Sequence, residues 1–204
     1  MNPLDIVALL FVVLVLVFWA IWVRASRLDR LHRKVVSARA VVAAQLVRRA
    51  TVAAELATSG LLDPVSSVVL GESAWQALAV SATASTTAPD ARAVLGEAAS
   101  AVQPGPGPAE SELTATLTEL LSDEQEVDLL RADPLGGELL DQLAAAWYRV
   151  QLARRIHNEA VAQAQRVRRG RLVRAFRLAG HAAEPQTLEL DDSMPQTLNE
   201  QSPG

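Results

Sequence analysis

A run of about 20 residues from Leu4 to Val23, LDIVALLFVVLVLVFWAIWV, constrains this chain more than any other feature. Its one charge, Asp5, stands at the outer end. A helix rising ~1.5 Å per residue covers the ~30 Å hydrocarbon core of a bilayer in that length. The run is apolar on every side, where a helix on the surface of a folded domain would show a single apolar stripe. A cleaved signal peptide would begin with basic residues and close on a small-x-small site. Here Met1-Asn2-Pro3 carries no Lys or Arg, and Trp19-Ala20-Ile21-Trp22-Val23 is bulky. A retained transmembrane helix is the expectation.

The flanks set its direction. Arg24, Arg27, Arg30, Arg33 and Lys34 come after the run, and only Asp5 stands before it. The excess of basic residues on cytoplasmic flanks then places the N-terminus outside and the rest of the chain in the cytoplasm, single-pass in the cell membrane. Trp19 and Trp22 suit the inner headgroup level. The absence of cysteine fits a reducing compartment.

The remainder of the chain reads as helix. Half of the chain is hydrophobic but only 4% is aromatic; Ala, Val and Leu at that density favour closely packed helices over strands. From Arg24 to Ala57 there is no Gly or Pro, and Leu28, Leu31, Val35, Ala38, Val42, Gln45, Arg49, Val52 and Leu56 step by three and four. That is coiled-coil spacing, with Gln45 and Arg49 as polar positions that set register. Ser59-Gly60 closes this helix, and Asp63-Pro64 opens another as N-cap and first-turn proline. Ser81 to Pro89 is small and polar and is expected to fray, and Asp90 to Val102 can form a further short helix. Gln103 to Ala109 forms a Pro/Gly linker. Helix resumes at Glu110, Ser122 and Gln125 suggest a capping box, and Asp133 to Gly137 reads as a turn. A second long helix carries Leu139, Leu143, Ala146, Val150, Ala153, His157, Ala160, Ala164 and Val167 on one seam.

The expected fold is thus all-α: a transmembrane helix continuing into a cytoplasmic antiparallel helical bundle, a coiled-coil-like hairpin. Its expected divisions are 1–23 for the N-terminus and span, 24–181 for the bundle with the 103–109 linker inside it, and 182–204 for an acidic, disordered tail.

The net charge of −4 hides alternating blocks. The stretches 24–60 and 141–181 are basic, 61–140 is acidic, and the tail is acidic. An antiparallel return of the second long helix would bring Arg168, Arg171, Arg174 and Arg177 beside Arg24, Arg27, Arg30 and Arg33. Together these eight form the candidate site, a basic patch on anionic headgroups. The competing description is a set of solvated helix ends.

No catalytic chemistry is legible. His32, His157 and His181 share no helical metal-pair spacing, and there is no Gly-rich phosphate loop or G-x-S-x-G elbow. The acidic run Asp123, Glu124, Glu126, Asp128 lacks the calcium-loop pattern. No cofactor, metal, catalytic residue or small-molecule substrate is expected, and the chain is read as a non-enzyme.

Two segments carry a family resemblance. SARAVVAAQLVRR, Ser37 to Arg49, and ARRIHNEAV, Ala153 to Val161, resemble patterns of the LemA family of bacterial membrane proteins. The matches fall on Ala38, Gln45, Leu46, Arg48 and Arg49, and on Ala153, Arg154, Arg155, Asn158 and Val161. The departures are Thr51-Val52-Ala53-Ala54-Glu55 in place of the family's I-P-N-L-V run, and His157 in place of its tyrosine. The resemblance implies an outside N-terminus, a helical bundle inside and no assigned catalysis. The expected function is a membrane-anchored interaction or scaffold component with an unidentified protein partner. The alternative is a membrane protein that binds nucleic acid through Arg166 to Arg177, which the tether and acidic balance disfavour.

Overall fold

In a computed structural model, the structure describes residues 3–86, 107–170 and 185–199; side chains at 3–9, 17, 24, 25, 28, 84–86 and 199 lie outside the description. The elements are α1 (Pro3–Thr58), α2 (Pro64–Thr86), α3 (Gly107–Leu120), α4 (Glu124–Ala132), α5 (Pro134–Arg168) and α6 (Gln196–Asn199). Every described element is helical, in line with the all-α reading.

α1 is one uninterrupted helix, as its lack of internal Gly and Pro demands. It ends where Gly60 adopts φ +77, a left-handed conformation costly for residues with a Cβ. The Asp63 carboxylate accepts from the backbone N–H groups of Val65 and Ser66 and opens α2. α2 then stays helical through the small, polar positions up to Thr86; the suggested helix at 90–102 lies outside the described residues.

Several boundaries differ from the sequence reading, and each difference has a local cause. α3 starts at Gly107, inside the expected linker, because Pro108 falls in the first turn, where its missing N–H leaves no bond unmade. Asp123, not Ser122, caps α4: its carboxylate accepts from Gln125 N, whereas the Ser122 hydroxyl donates back to Glu119 O. The expected turn at 133–137 is instead the start of α5. Asp133 ends α4 and also accepts from Leu135 N and Gly136 N, so one extended residue separates the two helices.

The chain divides into two compact units. The first comprises Met1–Arg39 and Ile156–Thr187; the second comprises Ala40–Arg155 and Leu188–Gly204. α1 and α5 contribute to both.

In the first unit, Leu31 and Val35 of α1 pack on Ala160, Val161 and Ala164 of α5, with Val167 at the edge. Small residues on α5 let the helices approach closely. Before this contact, α1 carries the apolar stretch: Leu10, Phe18, Trp19 and Trp22 are each more than 60% exposed. Among the described residues no helix is long and apolar enough to cross a membrane.

The second unit is a helical bundle. Leu56 of α1, Leu70 of α2, Leu113 and Leu117 of α3, Leu140, Leu143 and Trp147 of α5, and Leu198 of α6 share one core. Val42 and Leu46 meet Val150 and Ala153 in a second cluster, so α1 and α5 run antiparallel here, residue numbers rising along one as they fall along the other. The α5 seam lies inward as spaced. The α1 seam lies inward as well at Val42, Arg49, Val52 and Leu56, while Gln45 is half-buried and its neighbour Leu46 is buried. With helices on several sides, α1 buries a wider arc, including Leu46, Ala50 and Ala53, than a two-helix seam would.

The C-terminal segment corrects the sequence most. Expected as a disordered acidic tail over 182–204, it has in its described part, 185–199, Leu190, Asp192, Pro195 and Leu198 buried against the bundle. Its acidity masks an alternating apolar pattern that finds partners only in the folded bundle.

Candidate functional site

Two regions hold the charge that this chain has to manage. One lies inside the second unit. Arg49 of α1 and Glu110 of α3 form an ion pair with both side chains fully buried, Nη2 to Oε2 at 2.9 Å. Nη2 also donates to the Glu110 carbonyl at 3.1 Å. The guanidinium lies 5.0 Å from the centroid of the Trp147 ring, whose π face supports a cation. Arg49 Nε and Nη1 and Glu110 Oε1 have no hydrogen-bond partner among the described residues. Burial pushes the Glu110 carboxyl above its usual range; the charge and hydrogen bond of Arg49 pull the other way.

The tail is bonded directly over this pair. The Trp147 indole N–H and the Gln151 amide both donate to the Asp192 carbonyl, at 3.0 and 2.7 Å. Arg154 grips the Asp192 carboxylate with two bonds of 2.7 Å. The Thr114 hydroxyl sits 2.9 Å from both the Glu110 and Asp191 carbonyls, and the Asp191 N–H donates to Ser111 Oγ at 3.1 Å. Thr197 Oγ1 donates to the Leu121 carbonyl. Ser193, through its N–H and hydroxyl, holds the outward Asp191 carboxyl below the usual range.

The second region is the expected basic patch, in the first unit. Arg27 and Arg30 are exposed on α1. Arg33 is exposed too and pairs with Asp29 at 2.6 Å one turn away. A groove beside Arg30 is lined by Trp19, Trp22, Val23 and Ser26. Arg168 is the last residue of α5 and is half-buried. The contact of Leu31 and Val35 with Ala164 and Val167 brings the end of α5 level with the basic part of α1 within this unit. The Arg24 side chain and all of Arg171, Arg174 and Arg177 lie outside the described residues. Also in this unit, His157 is buried; its burial and the charge of Arg39 hold the imidazole below its ordinary value, opposed by hydrogen bonding with the Gln186 and Val35 backbone.

Sequence reading marked Arg49 as a polar seam position but missed Glu110, Trp147, Asp192 and the role of Arg154. Two signals were present. Glu110 steps with Leu113 and Leu117 on the inward face of α3, and a seam arginine calls for a carboxylate. Leu188, Leu190, Asp192 and Met194 alternate, as in an extended segment with one face covered. Arg49 and Arg154 hold these two ion pairs. Among the described residues no His, Cys, Asp or Glu group is placed to hold a metal ion. No protein-family model, curated protein or solved structure matches the chain.

Proposed function

We propose that this protein is a LemA-like, single-pass membrane-anchored helical scaffold, with its bundle on the cytoplasmic side and no catalytic role. The observation that carries the reading is the exposed apolar part of α1, Leu10 to Val23, continuous with the helix that builds the bundle. Apolar side chains exposed all round a helix in water would be a strong liability; lipid removes it. The proposed span takes in positions from Leu4, which sequence supplies and the described side chains do not reach. Arg27 and Arg30, exposed just past Trp19 and Trp22, suit anionic headgroups at about 1 kcal/mol per basic residue near the surface. Arg24, Arg33, Arg168, Arg171, Arg174 and Arg177 complete the proposed patch from sequence.

The test has two arms. After alkaline extraction of native membranes, the full chain should remain with the bilayer; its release would remove the span. A reporter active only in the cytoplasm, fused after Gly204, should be active, and changing Arg24, Arg27, Arg30 and Arg33 to Glu should erode that orientation. Activity of a secreted-only reporter at the same place would reverse the topology.

A further inference from the structure

The tail from Leu188 to Met194 lies on the bundle the way a bound peptide lies in a recognition groove. Its exposure alternates: Leu188, Leu190, Asp192 and Met194 are at least partly buried, while Glu189, Asp191 and Ser193 are exposed. Its hydrogen bonds go mainly to side chains on α3 and α5, and three of the bonded groups on the tail are main-chain: the Asp191 N–H and the Asp191 and Asp192 carbonyls. Extended ligands are read this way, with main-chain bonds for affinity and alternate side chains for specificity. The single charged inward position is Asp192, met by both arms of the Arg154 guanidinium. The surface also accommodates a backbone closely: a Cβ on Gly107 would come within 2.6 Å of the Glu189 carbonyl oxygen.

The two ion pairs of this unit differ in a way that bears on release. Arg49 and Glu110 are wholly buried, whereas Arg154 and Asp192 keep 32% and 12% of their side-chain surface. The Arg49–Glu110 pair is made entirely within the bundle, so the tail can leave without separating it. Arg154 would meet water in the process.

We propose that this groove is a docking site for an extended acidic segment of the pattern Leu-x-Leu-x-Asp. The chain's own tail occupies it in cis, and a partner protein's segment of the same pattern competes for it. This deepens the scaffold reading by naming the partner's chemistry and rests on that reading for its cellular use. Groove occupancy itself needs no membrane.

The probe is a fluorescent synthetic peptide of residues 185–199, and uptake is read by anisotropy with the detergent-solubilised full chain and two variants. One variant stops after Thr187. The other is the full-length Asp192→Ala chain, which keeps the apolar anchors of the tail and safeguards folding, checked for both by circular dichroism. The intact chain should bind the peptide weakly, because its own tail is present at high effective concentration. Both variants should bind at least tenfold more tightly. An Asp192→Asn peptide should lose at least tenfold, and a Glu189→Gln peptide should match the parent. The proposal is overturned if a folded variant takes up no more peptide than the intact chain, or if the two altered peptides lose affinity equally. Membrane extraction fails or succeeds independently of this assay, so the two readings fall separately.

Discussion

Arg33 and Arg49 stand on the same helix, four turns or so apart, and live in opposite surroundings. In the first unit, Arg33 is in open solvent with Asp29 beside it on its own helix. In the second, Arg49 has no solvent at all and depends on an acid and an indole brought from two other helices. The difference teaches that an arginine's role here depends on how many helices surround α1 at that level. Where α1 faces mainly α5, basic side chains can turn outward. Where α2, α3 and α5 join it in the bundle, a basic side chain at an inward position needs partners that meet it there.

The sharpest way to break the comparison is to remove the buried cation. Arg49→Ala should lower stability by about 3–5 kcal/mol in denaturant unfolding, because Glu110 would be left buried without its counter-charge. The double change Arg49→Met with Glu110→Leu should recover most of that loss, since apolar residues of similar volume need no desolvation. If the double variant is as unstable as the single one, the pair holds the bundle by geometry and not by charge balance.

A smaller effect is expected from Trp147→Phe. It keeps a ring near Arg49 but leaves the Asp192 carbonyl with Gln151 as its one remaining donor here, and it should cost about 1–3 kcal/mol. The same variant should loosen the tail, read as faster amide exchange at 188–194. Unchanged exchange there would separate the tail from the buried pair.

His157 sharpens the comparison through pH. Its folded value is depressed, so the neutral form is favoured on folding. The stability it contributes is present above about 6.5, its ordinary value, and is lost as pH falls through the lower folded value. The melting temperature of the wild-type chain should therefore fall with acidification below that point more steeply than that of His157→Gln. Parallel curves would show that burial of the imidazole is not felt by the first unit.

The smallest effect belongs to the exposed pair. Arg33→Ala should change stability by no more than about 1 kcal/mol, because solvent screens the Asp29 contact and both side chains regain freedom. A loss as large as that from Arg49→Ala would erase the distinction between the two regions.

Much of this was legible in the residues. The absence of Gly and Pro from α1, the spacing of the α5 seam, Asp63-Pro64 and Ser59-Gly60 each specify structure through neighbours a few positions away, so reading them needs no partner. Boundaries at Pro108 and Pro134 were misread because proline is a helix breaker inside a helix and a good starter in its first turn. Which applies depends on the residue that caps it.

The sequence by itself determined that the chain is helical, that its first long helix runs on from an apolar stretch, and that Arg49 and His157 lie on inward-facing seams. These are consequences of periodicity and backbone propensity, which act locally. Only the tertiary structure decided that Arg49 meets Glu110 and Trp147, that Arg154 meets Asp192, and that an acidic tail becomes an ordered strap. Those partners are separated by 38 to 61 positions in the ion pairs. Burial of a charge is favourable only when the opposing group arrives with it, a condition set by packing across helices and invisible in any local stretch of sequence.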